Sequence, residues 1–305
     1  MVKKSSKSSD NVPYILTNTP LVLTIVAVII MTIVSIAWWN SIYLRPRNVF
    51  EDMLKNNLAT KSITKQTNNS DGSSALNKTD QLSFVPQVAS QSVLDITQPG
   101  QAGETKVVTE SIGTLQADYS KYLKIDTPEK GADGKPLDYE SVLNIWGKSS
   151  IQSGQPQNLQ QSVLGLVPFA NIRPEERQKI VTMLINDQAY KVDYSKVEPK
   201  ELDGYSALVF PVSIDSAKYL ETLIELSKIA GFADLSSLDP AQYKDNPPIE
   251  VKMIVDKRSR KLLEVDFAGT EQKETYASYG LSMPIQVPEN TIPIQELQQK
   301  IQDVK

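Results

Sequence analysis

Residues 249–267 read IEVKMIVDKRSRKLLEVDF, and this stretch predicts an antiparallel β-hairpin. Apolar and charged residues alternate on both sides of a charged turn at residues 256–260. A period of two places the apolar side chains on one face of each strand and the charged side chains on the other. The hairpin therefore predicts a sheet with one buried face and one face toward water, which is typical of antiparallel sheets.

Outward from the hairpin, short segments with the pattern of strands alternate with helical segments. Further strands are predicted at residues 106–112, 119–125, 141–147, 190–194, 204–214 and 275–279. Helices are predicted at residues 48–58, 158–169, 174–187 and 215–230, and again from Pro293 onward. The polar stretch 64–80 is interpreted as a loop or as the tip of a hairpin, with Asp71-Gly72 as a turn signal. The pattern predicts an α+β domain, in which helices cover the concave side of a curved, open antiparallel sheet, a half-barrel.

The longest apolar run lies near the start of the chain. Residues 21–39 read LVLTIVAVIIMTIVSIAWW and contain no charge. At about 1.5 Å rise per residue, this run nearly spans a hydrocarbon layer of about 30 Å, and Leu44 extends it. Lys3, Lys4 and Lys7 precede it, which favours a cytoplasmic N-terminus. We therefore predict a cytoplasmic tail at residues 1–19, a single transmembrane helix at 20–44 and an extracytoplasmic domain at 45–305 of a cell-membrane protein.

Two alternatives to an uncleaved anchor remain open. Ser35-Ile36-Ala37 has the small residues of a signal-peptide cleavage site, although the apolar run is longer than that of most signal peptides. The second alternative is that the run forms a buried core helix. The later helices of the chain are much less apolar, which argues against it.

Composition excludes several kinds of site. The chain has no cysteine and no histidine, which removes thiolate nucleophiles, disulfides, imidazole bases and the common zinc ligands. No cofactor and no metal are therefore expected. Residues 1–47 carry a net charge of +4 within a chain of net charge −4, so the remainder is acidic. An acidic domain is not expected to bind nucleic acid, because phosphate would be repelled.

No catalytic motif is present. The sequence contains neither a nucleophile elbow nor a Ser-x-x-Lys motif in a suitable context, and it has no phosphate-binding glycine loop. Pairs of carboxylates can hide among 36 acidic residues, but most such residues are solvated surface charges. The chain is accordingly predicted to be noncatalytic, with no catalytic residues.

Two short motifs resemble a known family. Residues 53–58, MLKNNL, lie in the amphipathic helix that follows the apolar run, and Val255, Asp256, Ser259 and Leu262 form a V-D-x-x-S-x-x-L hairpin. Together with the order of elements, they resemble the lipoprotein-carrier and mycobacterial lipoprotein group, and the chain also looks like uncharacterised single-pass bacterial envelope proteins. The resemblance implies a half-barrel that holds lipid or acyl chains. The lipid-anchored members carry an acylated cysteine that this chain lacks, so the transmembrane helix would replace that anchor.

The first functional hypothesis is a membrane-tethered module that binds a lipid, an acyl chain or a lipidated protein in an apolar groove. The inward residues of the late hairpin and its neighbour would line this groove: Phe210, Val251, Met253, Leu263, Val265 and Phe267. The same residues would also serve as an ordinary closed core. The alternative hypothesis is therefore an envelope interaction or scaffold protein with a solid core and no ligand cavity, whose protein partner the sequence does not identify.

Three further features have both a functional and a packing interpretation. Trp146 would stack a ligand or fill a core. The tyrosines at 190, 194, 205, 276 and 279 would line a groove or pack between elements. The basic cluster of residues 257, 258, 260 and 261 would bind an anionic group or form a solvated hairpin tip.

Overall fold

The computed structural model describes residues 19–38, 43–70, 74–100, 102–131, 133–150, 158–232, 235, 238–281 and 284–304. The chain divides into two compact units, Met1–Asn48 and Val49–Lys305. Most of the predicted tail and the predicted turn at Asp71-Gly72 lie outside the described residues.

The first unit contains helix α1, Thr19–Trp38. Apolar side chains between Leu23 and Trp38 are exposed around its circumference, and the Trp38 ring stacks on Tyr43 at 6.2 Å between centroids. Among the residues described, no helix is at once long enough and apolar enough to cross a membrane.

Among the described residues, the second unit is built on one large sheet of thirteen strands. The strands are β1 (Ser62–Ser70), β2 (Ala75–Ser83), β3 (Ala89–Gly100), β4 (Gly103–Thr114), β5 (Ala117–Asp126), β6 (Gly147–Ser150), β7 (Tyr190–Val192), β8 (Glu198–Leu202), β9 (Tyr205–Ile214), β10 (Ile249–Asp256), β11 (Leu262–Phe267), β12 (Lys273–Ala277) and β13 (Ile292–Pro293).

The strand order is β13-β6-β5-β4-β3-β2-β1-β12-β11-β10-β9-β7, and β8 also pairs with β9. The sheet is open, because β13 and β7 lie at opposite ends of this order. The described pairs are antiparallel except β13 with β6, which is parallel. The α+β class is thereby confirmed with one parallel pair at an edge, and the curvature into a half-barrel stays a prediction.

Five helices accompany the sheet in the described part of this unit. They are α2 (Pro46–Asn57), α3 (Asn158–Val163), α4 (Pro174–Ile185), α5 (Ser216–Ala230) and α6 (Ile294–Gln302). The residues at both ends of α5 explain where this helix begins and ends. The Asp215 carboxylate accepts the Lys218 N–H at its start, and Gly231 ends it in the left-handed conformation at φ 68°.

The main core lies between one face of the sheet and helices α2, α4 and α5. The apolar face of α2 is fully buried there, as its amphipathic pattern predicts, with Phe50 5.1 Å from Phe210 between ring centroids. A smaller core lies on the opposite face of the sheet, where Ile112, Tyr119 and Ile285 pack together. Because the residues of both cores follow residue 48, the fragment 46–305 keeps them complete.

Three predicted elements are wrong. Residues 64–70 lie in β1 and residues 75–80 lie in β2 rather than in a loop, and the two strands pair antiparallel. Residues 141–147 form part of a 3-10 turn and a loop, and β6 begins only at Gly147. The helix expected at 158–169 ends at Val163.

Candidate functional site

Most of the predicted groove residues are part of the packed core. Phe210, Val251, Met253 and Val265 are at most 3% exposed, and Phe267 packs against the same cluster while partly buried. A ligand could reach these four side chains only by displacing the helices that cover them.

In the part of the chain that the structure describes, the main core fills most of the space between the sheet and the helices. A cavity of about 10 Å³ lies there, bounded by Lys65, Ser162, Phe169 and Tyr276 among others. This is about the smallest volume that holds one water molecule, and far below the roughly 300–1,000 Å³ of a small-molecule pocket. An acyl chain does not fit in this cavity without movement of the core.

Leu263, the sixth predicted residue, lies elsewhere. It lines a surface cavity of about 500 Å³ near the tips of two hairpins, together with Tyr205, Lys261, Glu264 and Leu281. Tyr205 is 49% exposed and Leu281 is 80% exposed. This cavity therefore combines exposed apolar side chains with charged ones, and we call it the hairpin-tip cavity.

The pairing register of β2–β5 brings a different set of apolar side chains together, in the half of these strands that does not contribute to the main core. Leu76 lies directly opposite Ile96, Ile96 opposite Val107, and Val107 opposite Ile125. Directly paired residues of antiparallel strands point to the same face, so these side chains form a row across four strands. We call the row and its neighbours the apolar strip, and all of its members are half-buried. The apolar strip consists of Leu76, Leu94, Ile96, Val107, Tyr122 and Ile125.

The two faces of this four-stranded ribbon differ in character. On the side opposite the strip, Lys106 pairs with Asp95 at 2.9 Å and Lys121 with Glu110 at 2.8 Å. A ribbon with one apolar and one charged face is amphipathic, and an apolar face of this kind is usually covered by another element or by a ligand.

A buried ionic cluster borders the strip. The Asp80 carboxylate is fully buried, with Lys78 Nζ 2.9 Å from Oδ1 and Lys65 Nζ 3.7 Å from Oδ2. The hydroxyls of Ser92 and Ser162 also donate to Oδ1, at 2.5 Å and 3.1 Å. Two ammonium groups face one carboxylate, so the cluster carries one net positive charge. We call these five residues the lysine–aspartate cluster.

Helix α3 covers the cluster and ends at the edge of the strip. The Asp118 carboxylate accepts the N–H of Asn158 at 3.1 Å and so caps the start of the helix. Burial raises the pKa of Asp118, and this hydrogen bond partly offsets the rise. The Ser162 hydroxyl, on the same helix, donates to Asp80. The position of α3 therefore determines whether this hydrogen bond of the cluster forms.

Gly113 on β4 allows this close approach. A Cβ there would overlap the Leu159 nitrogen and lie 2.9 Å from the Asn158 carbonyl carbon. We expect Gly113→Ala to push α3 away and to destabilise the domain by about 1–3 kcal/mol, the usual effect of overpacking. Urea unfolding of the fragment 46–305 measures it.

The matched control for this variant is Gly165→Ala, because a Cβ at Gly165 meets only ordinary contacts, the nearest at 3.8 Å. It should change the unfolding free energy by less than about 0.5 kcal/mol. Equal effects of the two substitutions would contradict the close approach at Gly113.

The other features singled out from the sequence have structural roles. Trp146 packs partly buried against the smaller core, with Lys121 Nζ 4.5 Å from its ring centroid. The Tyr190 and Tyr276 side chains are buried and belong to the main core. Arg260 is only 4% exposed, and its backbone carbonyl accepts the Asn56 amide at 3.0 Å. This part of the basic cluster is therefore not a solvated hairpin tip.

Sequence reasoning missed both the strip and the cluster. Their signal in the sequence is a spacing of two. Leu94 and Ile96 are two positions apart, as are Leu76, Lys78 and Asp80, so each set lies on one face of its strand. Polar composition hid it, because a stretch with so many Ser, Asn and Lys residues resembles a loop. Within the described residues, no group of three or more acidic side chains is placed to hold a metal ion.

Comparison with known proteins gives little further information. No protein-family model and no curated protein matches the chain. Among solved structures, LprF from Mycobacterium bovis is similar with a TM-score of 0.42 and 12% identity, over 80% of this chain and 95% of that one. The predicted resemblance is thus found as a remote likeness only.

Proposed function

We propose that this protein is a noncatalytic, membrane-tethered module that binds an acyl chain, of a lipid or of a lipidated protein, along the apolar strip. The observation that carries this proposal is the row of half-buried apolar side chains that register aligns across β2–β5. The charged opposite face of the same ribbon supports it, because only one face then needs an apolar cover.

The dimensions and energetics of the strip suit a hydrocarbon chain. Four strands spaced 4.7–4.9 Å apart give a strip roughly 14 Å wide. Each Å² of apolar surface that a ligand covers contributes about 25 cal/mol. The binding place therefore differs from the one that the sequence predicted, since the late hairpin is covered by packed helices and the strip is not part of that core.

The tether is proposed at residues 20–44, with the domain outside the cytoplasm. Its support is the uncharged run in the sequence and the apolar side chains exposed all around α1 between Leu23 and Trp38. A helix that is apolar on all sides needs an apolar environment. Labelling of single introduced cysteines in intact cells tests this orientation, and cytoplasmic labelling of the domain would contradict it.

A substitution in the strip tests the binding site. We expect Ile96→Asn to weaken acyl-chain binding about tenfold, because losing about 50 Å² of apolar contact costs about 1.3 kcal/mol. The control is Val93→Asn, which changes an exposed residue on the opposite face of the same strand and should leave binding unchanged. Native mass spectrometry of the fragment 46–305, exported and purified without detergent, measures the bound lipid.

A second function is favoured by the packed interior and the hairpin-tip cavity, with its exposed Tyr205 and Leu281. In this alternative the domain is a solid scaffold whose surface binds another envelope protein. A fragment that stays free of lipid when phospholipids or lipopeptides are offered would overturn the first proposal and favour this alternative.

A further inference from the structure

We propose that the lysine–aspartate cluster receives the anionic head group, a carboxylate or a phosphate, of the amphiphile whose chain lies on the apolar strip. This inference rests on the proposed function and names the class of ligand. It requires that the cluster and the strip adjoin, that the cluster carries positive charge, and that one of its ammonium groups is accessible.

Lys78 lies where the two features meet. It sits between Leu76 and Asp80 on the same face of β2, two residues from each, and it lies directly opposite Leu94 on β3. A chain that covers Leu76 and Leu94 therefore ends beside the Lys78 ammonium group. No rearrangement of strands is needed to bring the head group and the chain to their places.

The charge of the cluster has the correct sign for an anion. Lys65 and Lys78 both face Asp80, so the cluster holds two ammonium groups and one carboxylate. A further buried acid on the same face, Glu274 on β12, accepts the Tyr276 hydroxyl instead. The ion pairs on the opposite face of the ribbon match one lysine with one acid each, as in Lys106 with Asp95. Asp118, the acid that caps α3 through a hydrogen bond from the Asn158 N–H to its Oδ2, lies on β5 and is not part of the cluster.

The two lysines differ in accessibility. The Lys65 side chain is 10% exposed, whereas that of Lys78 is 25% exposed. Lys78 is thus the group that an incoming oxygen can reach, while Lys65 and the serine hydroxyls hold Asp80 in place. A charge-assisted hydrogen bond in a partly buried site is stronger than one in water, so the head group should add measurably to affinity.

The experiment compares ligands of equal chain length with different head groups. Dodecanoate, dodecyl phosphate and dodecanol are titrated into the fragment 46–305 below their aggregation concentrations, with calorimetric detection. We expect at least one of the two anions to bind about tenfold more tightly than the alcohol. Lys78→Gln should abolish this preference, and Lys78→Arg should retain it. Lys106→Gln, on the opposite face, is the matched control and should also retain the preference.

The outcomes separate this inference from the proposed function. If all three ligands bind equally, or if Lys78→Gln keeps the preference for the anions, the head-group site is wrong and the acyl-chain strip stands. If none of the three binds, the proposed function fails, and the inference fails with it. Unfolding midpoints of the variants show that loss of preference does not reflect loss of the fold. The ratio between dodecanoate and dodecyl phosphate distinguishes a carboxylate site from a phosphate site.

Discussion

Asp80→Ala should destabilise the domain by about 3–5 kcal/mol, because it leaves the largely buried Lys65 ammonium and the partly buried Lys78 ammonium without their counter-charge. Asp80 is fully buried and is the acid that pairs with both Lys65 and Lys78. The substitution also removes the acceptor of two serine hydroxyls. Urea unfolding of the fragment 46–305, followed by circular dichroism, measures the loss.

The control for this prediction is Asp95→Ala on the neighbouring strand. Its ion pair with Lys106 has a similar length, 2.9 Å, but both side chains are about a third exposed or more. Exposed pairs contribute about 0–1 kcal/mol, so this variant should remain close to the wild type. The comparison separates the effect of burial from that of charge.

A double variant tests the mechanism itself. If the loss comes from unpaired buried charge, adding Lys65→Met to Asp80→Ala should recover a substantial part of it, since buried ion pairs are often replaceable by apolar residues. A double variant no more stable than Asp80→Ala alone would show that the carboxylate acts through its hydrogen bonds to the serines.

The elements that sequence predicted well are those with local causes. The hairpin at 249–267 alternates over most of its length, with a register shift between Ile254 and Val255, and turns within five residues, and it forms β10 and β11 as expected. Helix α5 is fixed by Asp215 at its start and Gly231 at its end. Neither prediction depends on which distant segment packs against the element.

The candidate site depends on register between distant strands. Leu76, Ile96, Val107 and Ile125 are separated by up to 49 positions, and three successive strand pairings align them. A slip of one residue in any pairing would move the side chains of a strand to the other face. The sequence of each strand alone does not specify that alignment.

The predicted groove failed to appear as a groove for a related reason. Alternation shows that Met253 and Val265 face inward, and both are fully buried. It does not show whether the inward face meets packed helices or an open space. That difference is made by α2 and α5, whose apolar faces fill the volume.

Phe50→Ala should destabilise the domain by about 3–5 kcal/mol, the usual effect of removing a fully buried aromatic ring. Phe50 lies on α2 with no exposed surface. Its ring centroid is 5.1 Å from that of Phe210 on β9 and 6.4 Å from that of Tyr190 on β7. Neighbouring strands and α2 surround the ring, so the cavity left by alanine cannot collapse easily.

Tyr205→Ala is the matched control, because it truncates an aromatic residue that is 49% exposed at the start of β9. We expect it to lower the unfolding free energy by less than about 1 kcal/mol. A small loss for Phe50→Ala in the same urea titration would mean that α2 is not part of the cooperative core. Phe50→Leu should fall between the two, since leucine refills much of the volume and keeps α2 in contact with β9.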